Sequence, residues 1–195
     1  MKKIMFNDRY GLTQAVIEGR KTMTRRLADP KQKYQNLKRW QPCLELDFGL
    51  YGLIEDDGWE SIEPKYNLGE IVAVAQNYSS FYNILDNTRP IPEGAGWDNK
   101  MFVRADLMPH QIRITGIKCE RLQDISDKEC LREGIRQFTP NFPKNFPIHP
   151  THFVAGDILK DTPREAFASL IDKISGRGTW ASNPWVVCYE FELVK

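Results

Sequence analysis

The chain has 195 residues, a net charge of +1, 41% hydrophobic and 11% aromatic residues, which suits a packed core in a single domain spanning 1–195. No apolar run reaches the roughly 18 residues of a membrane span, and Asn7, Asp8 and Arg9 interrupt the start after Lys2 and Lys3, against a secretory leader. Cys43, Cys119, Cys130 and Cys188 form no Cys-x-x-Cys pair, so reduced thiols in a cytoplasmic protein fit better than a disulfide framework or a zinc site.

The small net charge hides an asymmetry. Residues 1–40 carry eleven Lys/Arg against three Asp/Glu, and the remainder carries 16 against 23, so a +8 segment offsets a −7 one. Such a basic segment suits either a phosphate-bearing partner or a solvated surface.

In chain order, residues 8–18 set Leu12, Ala15, Val16 and Ile17 on one helical stripe, and Gly19 supplies a stop. TMTRRL (22–27) continues as a strand, with Thr22, Thr24 and Arg26 on one face and Met23, Arg25 and Leu27 on the other. Arg20 and Arg25 read as surface charge. Residues 29–48 read as loop or irregular helix, and 49–54 with the following EDDGWE turn as a hairpin. IVAVAQ (71–76) reads as a buried strand. Residues 79–100, rich in Gly, Pro and Asn, form a first long loop insertion. HQIRITGIKCERLQ (110–123) alternates Ile112, Ile114 and Ile117 with polar residues, as a strand bent at Gly116 does. Residues 125–135 read as a short helix with a Ser126/Glu129 capping box and a stop at Gly134. Residues 136–160 form a second long insertion. Residues 162–176 give the clearest helix, with Phe167, Leu170, Ile171 and Ile174 on one face, and 184–194 close the chain as a strand. The order predicts an α+β fold: a mixed β-barrel with flanking helices.

Glu133 falls in the last turn of the 125–135 helix, where the backbone dipole disfavours an anion and favours a cation. It needs a nearby cation or a raised pKa. Lys21, two residues after the first helix stop, is a candidate general base if burial lowers its pKa. Thr24 adds a hydroxyl that can bind or attack an acyl carbon, and Arg26 a planar donor fork for a phosphate, carboxylate or base edge.

Gly19-x-Lys21-x-x-Thr24-x-Arg26 matches the signature of the ASCH domain family, in the version common in prophages and mobile elements. The resemblance continues through LGEIVAV, IRITGIKCERLQDISDKECLREGI and FASLIDKISGRGTWASNPWVVCYEF, and covers most of the chain outside the two insertions. It implies a PUA-like β-barrel, related to RNA-modification and RNA-binding modules. Small members of this family resemble amidohydrolases that remove the acetyl group of N4-acetylcytidine with a lysine, a threonine and a glutamate. These positions match Lys21, Thr24 and Glu133. Where prophage-type relatives follow the strand entry with Trp-Val-Arg-Glu, this chain has Ala73-Val74-Ala75-Gln76, which puts Gln76 beside Gly19 and Arg26 as an expected substrate-binding position.

Three functions are then expected of such a site. The first is hydrolysis of an N-acyl amide on a nucleoside, with Glu133 and a neutral Lys21 as base towards Thr24 or water, and Arg26 or amides near Gly19 as oxyanion donors. The second is non-catalytic binding of RNA or a nucleotide, and the third metal-independent RNA cleavage. No cofactor and no metal are expected: His149, His152 and Asp157 have ligand chemistry but sit in a Pro-rich loop that no helix rigidifies. The aromatics Phe138, Phe142, Phe146 and Phe153 can stack on bases or pin a loop. Trp180 and Trp185 read mainly as packing against the barrel.

Overall fold

The computed structural model describes residues 1–28, 64–82, 94–140 and 151–194, together with the backbone of three strands at 42–45, 49–54 and 58–62. Its main layer is a five-stranded sheet built from β1 (Lys3–Ile4), β2 (Met23–Leu27), β6 (Ile71–Val74), β7 (Gln111–Arg121) and β11 (Trp185–Leu193). The strand order is β1-β6-β7-β11-β2, with β1 parallel to β6 and the remaining pairs antiparallel. Strands β3 (Pro42–Glu45), β4 (Gly49–Ile54) and β5 (Gly58–Ile62) form an antiparallel meander, and β8 (Arg136–Phe138), β9 (His152–Ala155) and β10 (Ile158–Lys160) form another. The helices are α1 (Leu12–Ile17), α2 (Asp127–Arg132), α3 (Pro163–Ser175) and α4 (Thr179–Ser182). The fold is α+β. Among the described residues β1 and β2 remain the two edges of the main sheet, so no hydrogen-bonded ladder closes it into the expected barrel.

The β7–β11 pair is the backbone of the molecule. Ile112 and Ile114 are fully buried, and the register shifts between Glu190 and Phe191, so that Glu190 faces Gly116 while Phe191 faces Ile114. Thr115 is the extra residue of a bulge. It reverses the alternation, which is why Ile117 and Cys119, at odd positions, continue packing on the core that Ile112 and Ile114 began. The bend expected at Gly116 is this bulge.

Several expectations need correction. The helix expected over 8–18 starts only at Leu12, because Gly11 (φ 67) separates it from a one-turn 3-10 segment at Asp8–Tyr10. The 29–48 segment contains strand β3, while 29–41 and 46–48 lie outside the described residues. The second insertion is not simply loop, since it holds β8, β9 and β10. Strands of three or four residues are too short to leave a readable alternation. Residues 141–150, with Phe142, Phe146 and His149, and residues 83–93 of the first insertion are outside the described set. The hairpin expected from 49–54 appears as β4 and β5, the buried strand expected over 71–76 runs over Ile71–Val74, the Ser126/Glu129 capping box is present, and the helix expected over 162–176 spans Pro163–Ser175.

The main core joins both sheet and helices through Ile4, Phe6, Leu12, Val72, Ile112, Phe167, Leu170 and Val186. A second cluster sits beyond β6, where Ala73 and Ala75 leave room for Tyr78, Val103 and Met108. Among the described residues no helix is long and apolar enough to cross a membrane.

Candidate functional site

Two helix ends meet at the site. α1 stops at Gly19 (φ +71), whose N–H returns to the Val16 carbonyl at 2.9 Å, while the Lys21 N–H reaches Ala15 at 2.8 Å. This turns the chain back into β2. α2 stops at Glu133, followed by Gly134 (φ +105). The two segments are stitched together by Thr22 N–H donating to the Arg132 carbonyl (2.9 Å) and by Arg132 Nε donating to Thr22 Oγ1 (3.1 Å). A Cβ on residue 134 would lie 3.0 Å from Leu12 Cδ2 and 3.4 Å from Lys21 Cδ, so glycine there permits both the turn and the close approach of α2 to the lysine stem.

Lys21 and Glu133 are 2% and 4% exposed, and Lys21 Nζ donates to Glu133 Oε2 at 2.6 Å. Nζ also donates to the carbonyls of Glu133 (2.6 Å) and Met23 (2.8 Å). Three acceptors match the three protons of an ammonium. Burial pulls the Lys21 pKa below the usual lysine value, against the opposing attraction of the Glu133 carboxylate. The pair also resolves the conflict at the end of α2: an anion sits at the negative end of the helix because a cation is held against it.

Arg25 corrects the sequence reading. Instead of surface charge it is a buried side chain, 0% exposed, at the centre of an ion network. Its Nη1 donates to Glu133 Oε1 at 3.1 Å, and its Nη2 faces Glu129 Oε2 at 3.2 Å and Glu120 Oε1. Lys118 completes the set with Glu129 (2.6 Å) and Glu120 (2.8 Å). Three cations and three anions balance, so each buried charge keeps a partner. A signal for Arg25 does exist in the sequence. Glu129 and Glu133 are four apart, on one helical face, and such like-charged neighbours call for a cation between them. Beside Arg25, across the sheet, burial pushes the Cys188 thiol up to about 12, which keeps it a neutral packing group.

Thr24 lies on the opposite face of β2, 4% exposed, next to Tyr189 of β11. Its hydroxyl has no hydrogen-bond partner among the described residues, and it lines a cavity of about 750 Å³ together with Lys21, Glu133 and Arg26. The cavity follows the open seam between the sheet edges, from Lys3 of β1 with the following Met5 and Phe6 to residues 24–27 of β2 and Ala28 after it, with α3 as its far wall. Arg26 bridges the seam, donating from Nη2 to the Met5 carbonyl at 2.6 Å. Phe6 lies under both cations, its ring centroid 5.6 Å from Lys21 Nζ and 5.8 Å from Arg26 Cζ.

The remaining expected positions are placed differently. Gly19 is exposed and does not line the cavity, and its amide is committed to Val16, which removes it as an oxyanion donor. Gln76 does not line the cavity either. Its N–H donates to the Met108 sulfur at 3.2 Å, and its Oε1 is buried with no hydrogen-bond partner among the described residues. His152 Nδ1 lies 3.1 Å from Asp161 Oδ1, and among the described residues no group of three or more His, Cys, Asp or Glu side chains is arranged to hold a metal ion. Trp180 packs edge-on against Phe167, and the Arg121 guanidinium lies 4.4 Å from the Trp185 ring centroid. Comparison with protein-family models, with curated proteins and with solved structures finds no match for this chain.

Proposed function

We propose that this chain is an ASCH-type, PUA-like protein that hydrolyses an N-acyl amide on a nucleoside or nucleotide, with N4-acetylcytidine as the reference substrate. The observation that carries the reading is the buried Lys21–Glu133 pair, 2.6 Å apart, on the same cavity as the Thr24 hydroxyl, which has no hydrogen-bond partner among the described residues. What supports the fold part of the proposal is the Arg26–Met5 contact, which spans the seam that backbone pairing leaves open between β1 and β2.

The chemistry starts with a proton moving from Lys21 Nζ to Glu133 Oε2, which leaves a neutral amine. Burial favours that step by disfavouring the ammonium. The amine takes the proton of Thr24 or of a water as its oxygen attacks the acyl carbon. The Arg26 guanidinium uses one N–H on Met5 and keeps others for the developing oxyanion. The C–N bond then breaks and the proton held on Lys21 passes to the departing nitrogen. With water as nucleophile the acyl group leaves directly as a carboxylate; with Thr24 a water then cleaves the intermediate ester and restores the hydroxyl.

The test is incubation of the purified protein with N4-acetylcytidine and other N-acylated nucleosides and nucleotides. Turnover is expected, and is lost in Lys21→Ala and Thr24→Val. Absence of turnover, or turnover indifferent to both substitutions, would sink the proposal. A second reading, binding of RNA or a nucleotide without chemistry, is favoured by one observation: Lys3, Arg26 and Lys65 all line the cavity with no carboxylate partner among the described residues. It predicts salt-sensitive binding weakened by Arg26→Gln.

A further inference from the structure

The cavity has two unlike walls. One carries Lys21, Glu133, Thr24 and Arg26. The other is apolar: Phe167, Leu170, Ile171 and Ile174, which recur along α3 at helical spacing, all line it, as does Val187 of β11. Val187 pairs with Arg26 and Tyr189 with Thr24, so Val187 is the next side chain along the same sheet face from the position opposite Thr24. Phe167, Leu170 and Val187 are buried in the core at its floor, while the rim is bare: Ile174 of α3 is 39% and Leu27 of β2 48% exposed, although Ile174 belongs to the core-facing stripe of α3. Exposed apolar side chains that converge on one cavity are the mark of a ligand surface rather than of scattered surface residues. The volume of about 750 Å³ also leaves room beyond a base, a sugar and a two-carbon acyl group.

Resting on the hydrolase reading above, we propose that the acyl arm of the substrate is a longer aliphatic chain than acetyl, lying over Val187 against Ile171 and Ile174, with Leu27 at the rim. The acyl carbon is then presented to Thr24 while its chain runs away from the charged pair. An apolar arm also keeps water off the Lys21–Glu133 pair and strengthens its electrostatics. Hydrolysis breaks the amide C–N bond, adds the water oxygen to the acyl carbon, gives a proton to the amine, and releases the chain as a medium-length carboxylate.

The experiment compares kcat/KM for cytidines N4-acylated with acetyl, butanoyl, hexanoyl and octanoyl groups, in the natural protein and in Ile174→Asp and Leu27→Asp, whose exposed positions tolerate charge. The expected result is a rise of at least roughly 3-fold per methylene buried, with the hexanoyl-to-acetyl ratio pulled towards one by either substitution. Acetyl as the best substrate, or a ratio unmoved by both substitutions, overturns the proposal. If no compound in the series is turned over, the hydrolase reading fails by itself, and titration of the same compounds onto the protein decides the trough. Binding that tightens with chain length and is abolished by Ile174→Asp supports it, and binding without that gradient overturns it.

Discussion

The two ends of α2 carry glutamates four residues apart that live by different rules. At the N-terminal end Glu129 obeys local logic: it accepts the Ser126 N–H, completes a reciprocal capping box, and takes Lys118 at the protein surface. At the C-terminal end Glu133 breaks it, an anion at the negative end of a helix and shut away from water. The first is satisfied mainly within its own turn and by Lys118, 11 residues earlier, with Arg25 at 3.2 Å as a further partner. The second exists only because Lys21 and Arg25, more than a hundred residues earlier, are brought against it. A group that violates its local preference and is rescued from far away marks where a fold has spent stability on something other than itself.

The contrast can be broken most severely at the buried end. Glu133→Ala strands the buried Lys21 ammonium and takes one of the three carboxylates around Arg25, and urea denaturation is expected to show a loss of about 3–5 kcal/mol. Replacing both partners of the pair together, Lys21→Met with Glu133→Leu, is expected to recover much of that loss, since Arg25 keeps Glu120 and Glu129. A double-mutant cycle measures the coupling directly. If the double variant is as unstable as Glu133→Ala alone, the pair is not the source of the cost. Thr24→Val separates chemistry from stability at the same end: turnover is expected to fall by about 10²-fold or more, with the unfolding midpoint nearly unchanged.

At the exposed end the effects are smaller and depend on pH. Against the cost of its partial burial, the Lys118 ammonium, the Ser126 N–H and the Arg25 guanidinium hold the Glu129 carboxyl down to about 2. A carboxylate with a depressed folded-state pKa contributes stability above its unfolded value and loses it as pH falls through the folded one. The advantage of the natural protein over Glu129→Gln is therefore expected to be full at neutral pH, of order 1–2 kcal/mol after solvent screening. It should vanish between the ordinary glutamate value and about 2, as thermal unfolding across that range reports. Ser126→Ala removes only the cap hydroxyl and is expected to cost about 1 kcal/mol, independently of acid pH down to the same window.

How much of this was legible in the chain varies with how local the cause is. The cap at Ser126, the helix stop at Gly19, the bend at Gly116 and the hairpin begun at 49–54 follow from neighbours within a turn or a hairpin. Lys21, Thr24 and Glu133 were legible as candidates, Glu133 through its conflict with the helix dipole. For Arg25 the Glu129/Glu133 spacing asks for a cation without naming which one, because alternation along β2 assigns Arg25 to a face without saying what covers that face. The burial along β2 does not alternate at all: Met23, Thr24 and Arg25 are all buried, whereas Arg26 and Leu27 are exposed. The start of the strand is enclosed on both sides where α2 ends against it, and its far end opens onto the cavity seam.

The sequence by itself determined where the longest helix lies, the capping box and stop of α2, the hairpin begun at 49–54, and that Glu133 at a helix C-terminus needs a cation or a raised pKa. These are consequences of backbone stereochemistry and of contacts a few residues long. Only the tertiary structure decided that Gln76 and Gly19 stay outside the cavity, that Arg25 belongs at the centre of the charge network, and that the sheet edges β1 and β2 flank the cavity instead of pairing. Those outcomes depend on which distant surfaces come to exclude water from each other. Burial turns a lysine, an arginine and a glutamate from surface charges into a coupled set.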